Sequence, residues 1–139
     1  MKNILLLLII VTSLSSVAQN VSIPFDKKIF KEKKDAFKIA VDNLEEGDNF
    51  YELGQNPAIG FSIWSKAIPF YKKANDFNPD NATLNYKLGN CNLVSIHKYY
   101  ALDYFIHAYK LKPTIAKDIH YKIGRAYQYQ YKFDEALHE

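Results

Sequence analysis

Ala101-Leu102-Asp103-Tyr104-Phe105-Ile106-His107-Ala108-Tyr109-Lys110-Leu111-Lys112-Pro113 is a variation on the stretch that ends 34 residues earlier, at Pro79. Ala67 matches Ala101, Tyr71 matches Phe105, Ala74 matches Ala108 and Pro79 matches Pro113. Working outward, Leu84-Asn85-Tyr86-Lys87-Leu88-Gly89 pairs with Ile119-His120-Tyr121-Lys122-Ile123-Gly124 at a spacing of 35. Cys91 pairs with Ala126 and Ala101 with Ala136 at the same spacing. A period of this length marks supersecondary units that must stack to bury their apolar faces.

Each unit reads as two helices. Leu84, Leu88, Cys91 and Ser95 form one stripe at helical spacing, and Ala101, Tyr104, Phe105, Ala108 and Leu111 form a second. Pro79-Asp80-Asn81 and Lys112-Pro113-Thr114 fall where helices must end, with Asn81 and Thr114 as candidate caps for the helix that follows. Antiparallel helices approach closely only where side chains are tiny, which gives Gly89, Gly124, Ala101 and Ala108 their reason. Aromatics such as Tyr71 and Phe105 then fill the volume where neighbouring hairpins stack.

These residues resemble the tetratricopeptide-repeat (TPR) family. The match covers Leu88, Gly89, Ala101, Phe105, Ala108 and Pro113 in the second unit, and Ile123, Gly124, Tyr127 and Ala136 in the third. The family's usual first-helix Trp is absent, and Asn92 stands where an aromatic is common. The resemblance implies an all-α solenoid of antiparallel helix hairpins, two and a half to three repeats over 36–80, 81–114 and 115–139, preceded by a lead-in segment at 19–35.

The first unit has two registers. Tyr51-Glu52-Leu53-Gly54 echoes the second unit at a spacing of 35 but places Pro57 inside a helix. Taking Gly47 as the close-approach glycine puts Phe50 at the aromatic position and Gly54 in the turn, with Gln55 to Phe61 an enlarged loop; this register is preferred. The second helix of that unit is expected over Ser62–Phe77. In the third unit the second helix starts near Lys132 and reaches Glu139 before the expected aromatic, small residue and proline. Phe133, Ala136 and Leu137 are therefore expected half covered, as in the N-terminal piece of a longer protein.

Before these units stands a different kind of segment. Lys2, the apolar run Ile4 to Val11 and Ser16-Val17-Ala18 read as a signal peptide cut between Ala18 and Gln19. The run is too short to cross a bilayer, so export to a bacterial cell envelope is expected, with no membrane insertion once the leader is removed. Lys2 removed, the 18 Lys and Arg become 17 against 15 Asp and Glu. That balance argues against nucleic acid, and the run Lys27, Lys28, Lys31, Lys33, Lys34 reads as a solvated helix start.

The chain is 48% hydrophobic with 11 Tyr and 9 Phe, ample for a core without a disulfide, since Cys91 is the single cysteine. Cys91 takes the small, helix-facing position of Ala126 and reads as an inert hydrophobe. His97, His107, His120 and His138 are scattered, none pairing with another at i, i+4. No catalytic motif or cofactor loop is recognisable, so an enzyme is not expected, nor a metal or cofactor.

One row of residues suggests a binding role. The TPR resemblance places the first helix of each unit along a concave groove, with Tyr86 and Asn90 on one and Tyr121 and Arg125 at the same positions of the next. Val94 and Tyr129 continue the row. The expected occupant is a peptide or another envelope protein, Arg125 offering a charge-assisted bond to a carboxylate. Phe77-Asn78-Pro79-Asp80-Asn81 with Leu84 to Cys91 is similar to a narrower group. These are envelope proteins in which an N-terminal TPR region precedes a WD40-like propeller and an OmpA-like domain, in Gram-negative bacteria that glide or use type IX secretion. The resemblance implies a periplasmic or outer-membrane-associated scaffold. The alternative is a small stand-alone protein that self-associates through its third repeat.

Overall fold

A computed structural model describes residues 21–132 and 137–139. The expected signal peptide, its Ala18–Gln19 junction, and Phe133 and Ala136 lie outside them. The described chain is all-α: α1 Lys34–Gln55, α2 Ile68–Phe77, α3 Ala82–Leu93, α4 Ala101–Leu111 and α5 Ile119–Tyr129, with short 3-10 turns at Lys31–Lys33, Phe61–Ala67 and Lys98–Tyr100.

α1 and α2 form an antiparallel hairpin, with Phe37 against Phe77 at one end and Tyr51 against Trp64 at the other. α3 and α4 form the next hairpin, and α5 packs onto α4. In each hairpin a glycine lies under a fully buried ring: Gly47 under Tyr71 and Gly89 under Phe105. A Cβ on either glycine would fall inside the ring it faces. The preferred Gly47 register therefore matches the contact. Gly47 and Tyr71 are 24 residues apart whereas Gly89 and Phe105 are 16 apart, so the first hairpin carries eight extra residues at its tip.

Those eight residues correct the reading of Gly54. It is not in a turn: α1 continues through it to Gln55, and the Trp64 indole covers it. Pro57 lies beyond the helix end, so the apparent conflict with a helical Gly54 disappears. The second helix of this hairpin is also not α throughout. Pro69 has no N–H to give the carbonyl four residues back, so the turn before it tightens to 3-10 over Phe61–Ala67 and the α-helix starts at Ile68 with Pro69 in its first turn.

The caps divide in the same manner. Asn81 is the N-cap of α3 and accepts a hydrogen bond from the Leu84 N–H at 2.8 Å. Thr114 caps nothing, because α5 starts at Ile119, after a string of turns from Lys112. The segment before α1 is more than a lead-in. Phe25 and Phe30 pack on Phe77, and the Ile23 N–H donates to the Asp80 carbonyl at 2.7 Å. The Ile23 carbonyl accepts from the amides of Asn78 and Asn81 at 3.0 and 2.8 Å. This strap ties residues 22–30 to the turn between the two hairpins.

Asn81 is thus the joint of cap and strap. Asn81→Ala is expected to cost about 1–2 kcal/mol, while Asn81→Asp keeps the cap and sets a carboxylate oxygen against the Ile23 carbonyl in place of the donated bond. Urea unfolding measures the cost. Faster protease cutting near residues 22–30 in both variants checks the strap; equal cutting rates would refute it.

Candidate partner-binding cleft

The inner row starts from a ladder that joins the hairpins. Lys87, two residues before Gly89, reaches Asp48, the residue after Gly47, at 2.6 Å. Lys122, two before Gly124, reaches the side-chain oxygen of Asn90, the residue after Gly89. The same relative positions are used twice, so a repeated register in the sequence produces a repeated inter-helix bond. Tyr71 donates its hydroxyl to Asp48 at 2.5 Å. Burial, then that bond, pushes the Tyr71 phenol far up, so it stays a neutral donor. Burial pushes Tyr51 up to about 12, and its hydroxyl accepts from the Asn90 amide at 2.8 Å.

This ladder corrects the expectation for Asn90. It is not an exposed groove residue: it is 2% exposed, its amide and its carbonyl oxygen both engaged across helices. Tyr86 is likewise drawn away from the open row. Its ring turns onto Phe105, with centroids 5.9 Å apart, and its hydroxyl donates to Asp118 at 2.7 Å. Partial burial works to raise the Asp118 carboxyl, but the Tyr86 hydroxyl and Lys122 outweigh it and hold it below the usual carboxylate range. Lys122 sits over the Tyr86 ring at 4.9 Å, and burial pulls its ammonium below the usual lysine range.

Beyond these contacts lies a cleft of about 170 Å³, lined by Phe61, Trp64, Asn90, Leu93, Val94, Tyr121, Lys122 and Arg125. Four of the six row residues therefore meet in one place: Asn90 at the floor, Val94, Tyr121 and Arg125 at the walls. Tyr86 and Tyr129 stand outside it. Tyr129 instead accepts from the Arg125 guanidinium at 3.2 Å, which, with the Tyr121 ring 6.0 Å away, helps keep Arg125 charged.

Phe61 and Trp64 were not among the expected groove residues. They reach the cleft because the first hairpin is eight residues longer than the second and its tip folds over α3. The signal available in the sequence was the pairing of the chain's single Trp with Gly54 across an enlarged turn. The lining holds three aromatic rings, two aliphatic side chains, two cations and no carboxylate. Such a wall accepts an apolar side chain next to an anionic or carbonyl group.

Cys91 is fully buried in the core of the first hairpin and α3, and burial pushes its thiol up to about 12. At neutral pH it carries almost no thiolate, the form that attacks or ligates. Among the described residues no helix is long and apolar enough to cross a membrane. No family model matches the chain, and no curated protein or solved structure matches it either.

Proposed function

We propose that this chain is a non-catalytic protein-interaction scaffold of TPR type, which holds a peptide or an extended segment of a partner protein in the cleft between the first hairpin and α5. The observation that carries this reading is the wall of Phe61, Trp64, Tyr121 and Arg125 around a small apolar cleft without a carboxylate. The repeat spacing and the paired Gly–aromatic contacts support the TPR assignment. The leader-like N-terminus supports a place in the periplasm or at the outer membrane. The likeness of residues 77–91 to envelope proteins with propeller and OmpA-like domains supports a role as the N-terminal module of such an assembly.

Trp64 is the chain's single tryptophan, so cleft occupancy is readable from its emission. Titration with short apolar peptides carrying a free C-terminal carboxylate is expected to shift that emission saturably. Arg125→Glu should weaken binding about tenfold or more, since a charge-assisted bond is worth about 1.5–3 kcal/mol. Amidating the peptide terminus should weaken it in the native chain and not in the variant. No saturable change with any such peptide, or equal affinity in Arg125→Glu, would remove the cleft from consideration.

A second reading, self-association through the third unit, is favoured by Leu137, which is 85% exposed. Concentration-dependent sedimentation abolished by Leu137→Glu supports it; a monomer at high concentration opposes it.

A further inference from the structure

We propose that the two hairpin tips and the C-terminal end of α5, called the third tip below, form a lipid-docking edge, which lays the molecule against an anionic bilayer surface without crossing it. Eight of the fourteen large apolar side chains exposed among the described residues lie in three short stretches, 56–62, 94–100 and 129–132. Ile96 is 90% exposed, Phe61 56%, Tyr100 49% and Tyr99 47%. Scattered singly such residues need no explanation, but contiguous ones mark an interaction surface.

These three stretches are contiguous. The Gln130 amide donates to the Tyr99 carbonyl at 2.8 Å, and the Lys98 ammonium lies 4.9 Å over the Tyr129 ring, which joins the second tip to the third. A depression of about 510 Å³, lined on one side by Ser62 and Ser65 and on the other by Val94 to His97, joins the first tip to the second.

Charge is segregated along the same line. No Asp or Glu occurs in 53–75, 81–102 or 119–133, the stretches that contain the three tips. Lys66, Lys98 and Lys132 stand in or beside those tips. The carboxylates Asp80 and Asp118 belong to the opposite, inter-hairpin turns, and Asp26 to the strap tied to the first of them. An edge of tyrosines and an isoleucine, flanked by lysines and, among the described residues, with carboxylates only at its borders (Asp103 beside Tyr100 and Glu52 beside Asn56), matches the interface of a bilayer. Amphipathic rings sit at headgroup depth there, lysine stems stretch along the apolar surface, and anionic headgroups attract the ammonium groups.

Flotation with vesicles of phosphatidylcholine containing phosphatidylglycerol, against phosphatidylcholine alone, tests the assignment. The full chain and the chain starting at Gln19 are both used, because an apolar run such as Ile4 to Val11 would partition into lipid independently of the tips. Both are expected to float with the anionic vesicles, and the shorter chain far less with the neutral ones. In the shorter chain Ile96→Asp with Tyr100→Ser, and separately Lys98→Glu with Lys132→Glu, should each weaken partitioning on the order of tenfold or more. Ile39→Asp, at an exposed position of α1 away from the tips, should leave it unchanged. Helicity by circular dichroism confirms that each variant folds. Failure of the shorter chain to float, or flotation indifferent to both tip variants, overturns the proposal. Crosslinking of the tips to a protein in envelope membranes without flotation on pure lipid overturns it in favour of a protein-docking edge.

Discussion

Phe105→Ala is expected to lower the unfolding free energy by about 3–5 kcal/mol, a large share of the roughly 5–15 kcal/mol that holds a small domain. The ring is fully buried and fills the space above Gly89, with Tyr86 at its side and Leu102 and Ile123 in the same core. Removing it opens a cavity above Gly89 in the core that α4 shares with α5. The partner glycine supplies the control. Gly89→Ala should gain up to about 1 kcal/mol of helix propensity and lose about 1–3 kcal/mol to the clash with the ring, a net loss. In a Phe105→Leu background the clash is relieved, so the same Gly89→Ala should become neutral or stabilising. Urea denaturation of the four proteins closes the cycle. Simple additivity would mean that glycine and ring do not act as a pair.

Trp64→Ala carries a comparable expected loss, about 3–5 kcal/mol, for a different combination of reasons. The indole stacks on Tyr51 with centroids 4.4 Å apart, donates its N–H to the Tyr51 carbonyl at 2.7 Å and covers Gly54. It therefore fastens the extra turns of α1 to the tip that bends over α3. Trp64→Phe keeps a ring over Gly54 and gives up the hydrogen bond, which should cost nearer 1 kcal/mol beyond the lost area. Circular dichroism during urea unfolding measures both, since the emission probe is gone. Loss of peptide binding in Trp64→Phe, followed by titration calorimetry, at unchanged helicity would show the indole contributing to the cleft as well as to the hairpin. Equal stability losses in the Phe and Ala variants would deny the ring its packing role.

The parts of the fold that were legible are those that repeat. Gly47, Gly89, Tyr71 and Phe105 follow from the spacing as the small and large positions of the repeat, but the rings were assigned to the space between hairpins, whereas each lies over the glycine of its own hairpin. Asn81 as a cap follows from its place after Pro79 and before an apolar period. What escaped was non-repeating or non-local. The eight extra residues of the first hairpin have no counterpart to align with, so Gly54 was assigned to a turn and the Phe61–Trp64 wall was missed. The strap from Ile23 to Asn78 and Asn81 joins positions more than fifty residues apart, and no local pattern announces it.

Asn90 shows why the site was only half legible. A helical offset from Gly89 fixes which way the residue points along α3, and the expectation of exposure assumed that nothing covers that side. Lys122, 32 residues later, does. The same logic identifies the residue left open. Arg125 follows Gly124 as Asn90 follows Gly89, and among the described residues no further lysine reaches it, so it remains turned toward the cleft.

Cys91 gives the packed hairpins a clock. It is the only thiol in the chain and is fully buried, so a small disulfide reagent can reach it only when α3 parts from the first hairpin. When reclosing is fast compared with labelling, the rate of modification counts those openings, and its logarithm reads the free energy of separating neighbouring layers while the remainder stays folded. A natural sequence that places one unpaired sulfur at the seam between its first two layers therefore permits their separation to be timed without adding a label. Partner capture, lipid adsorption or a bound peptide would each register as a slower tick.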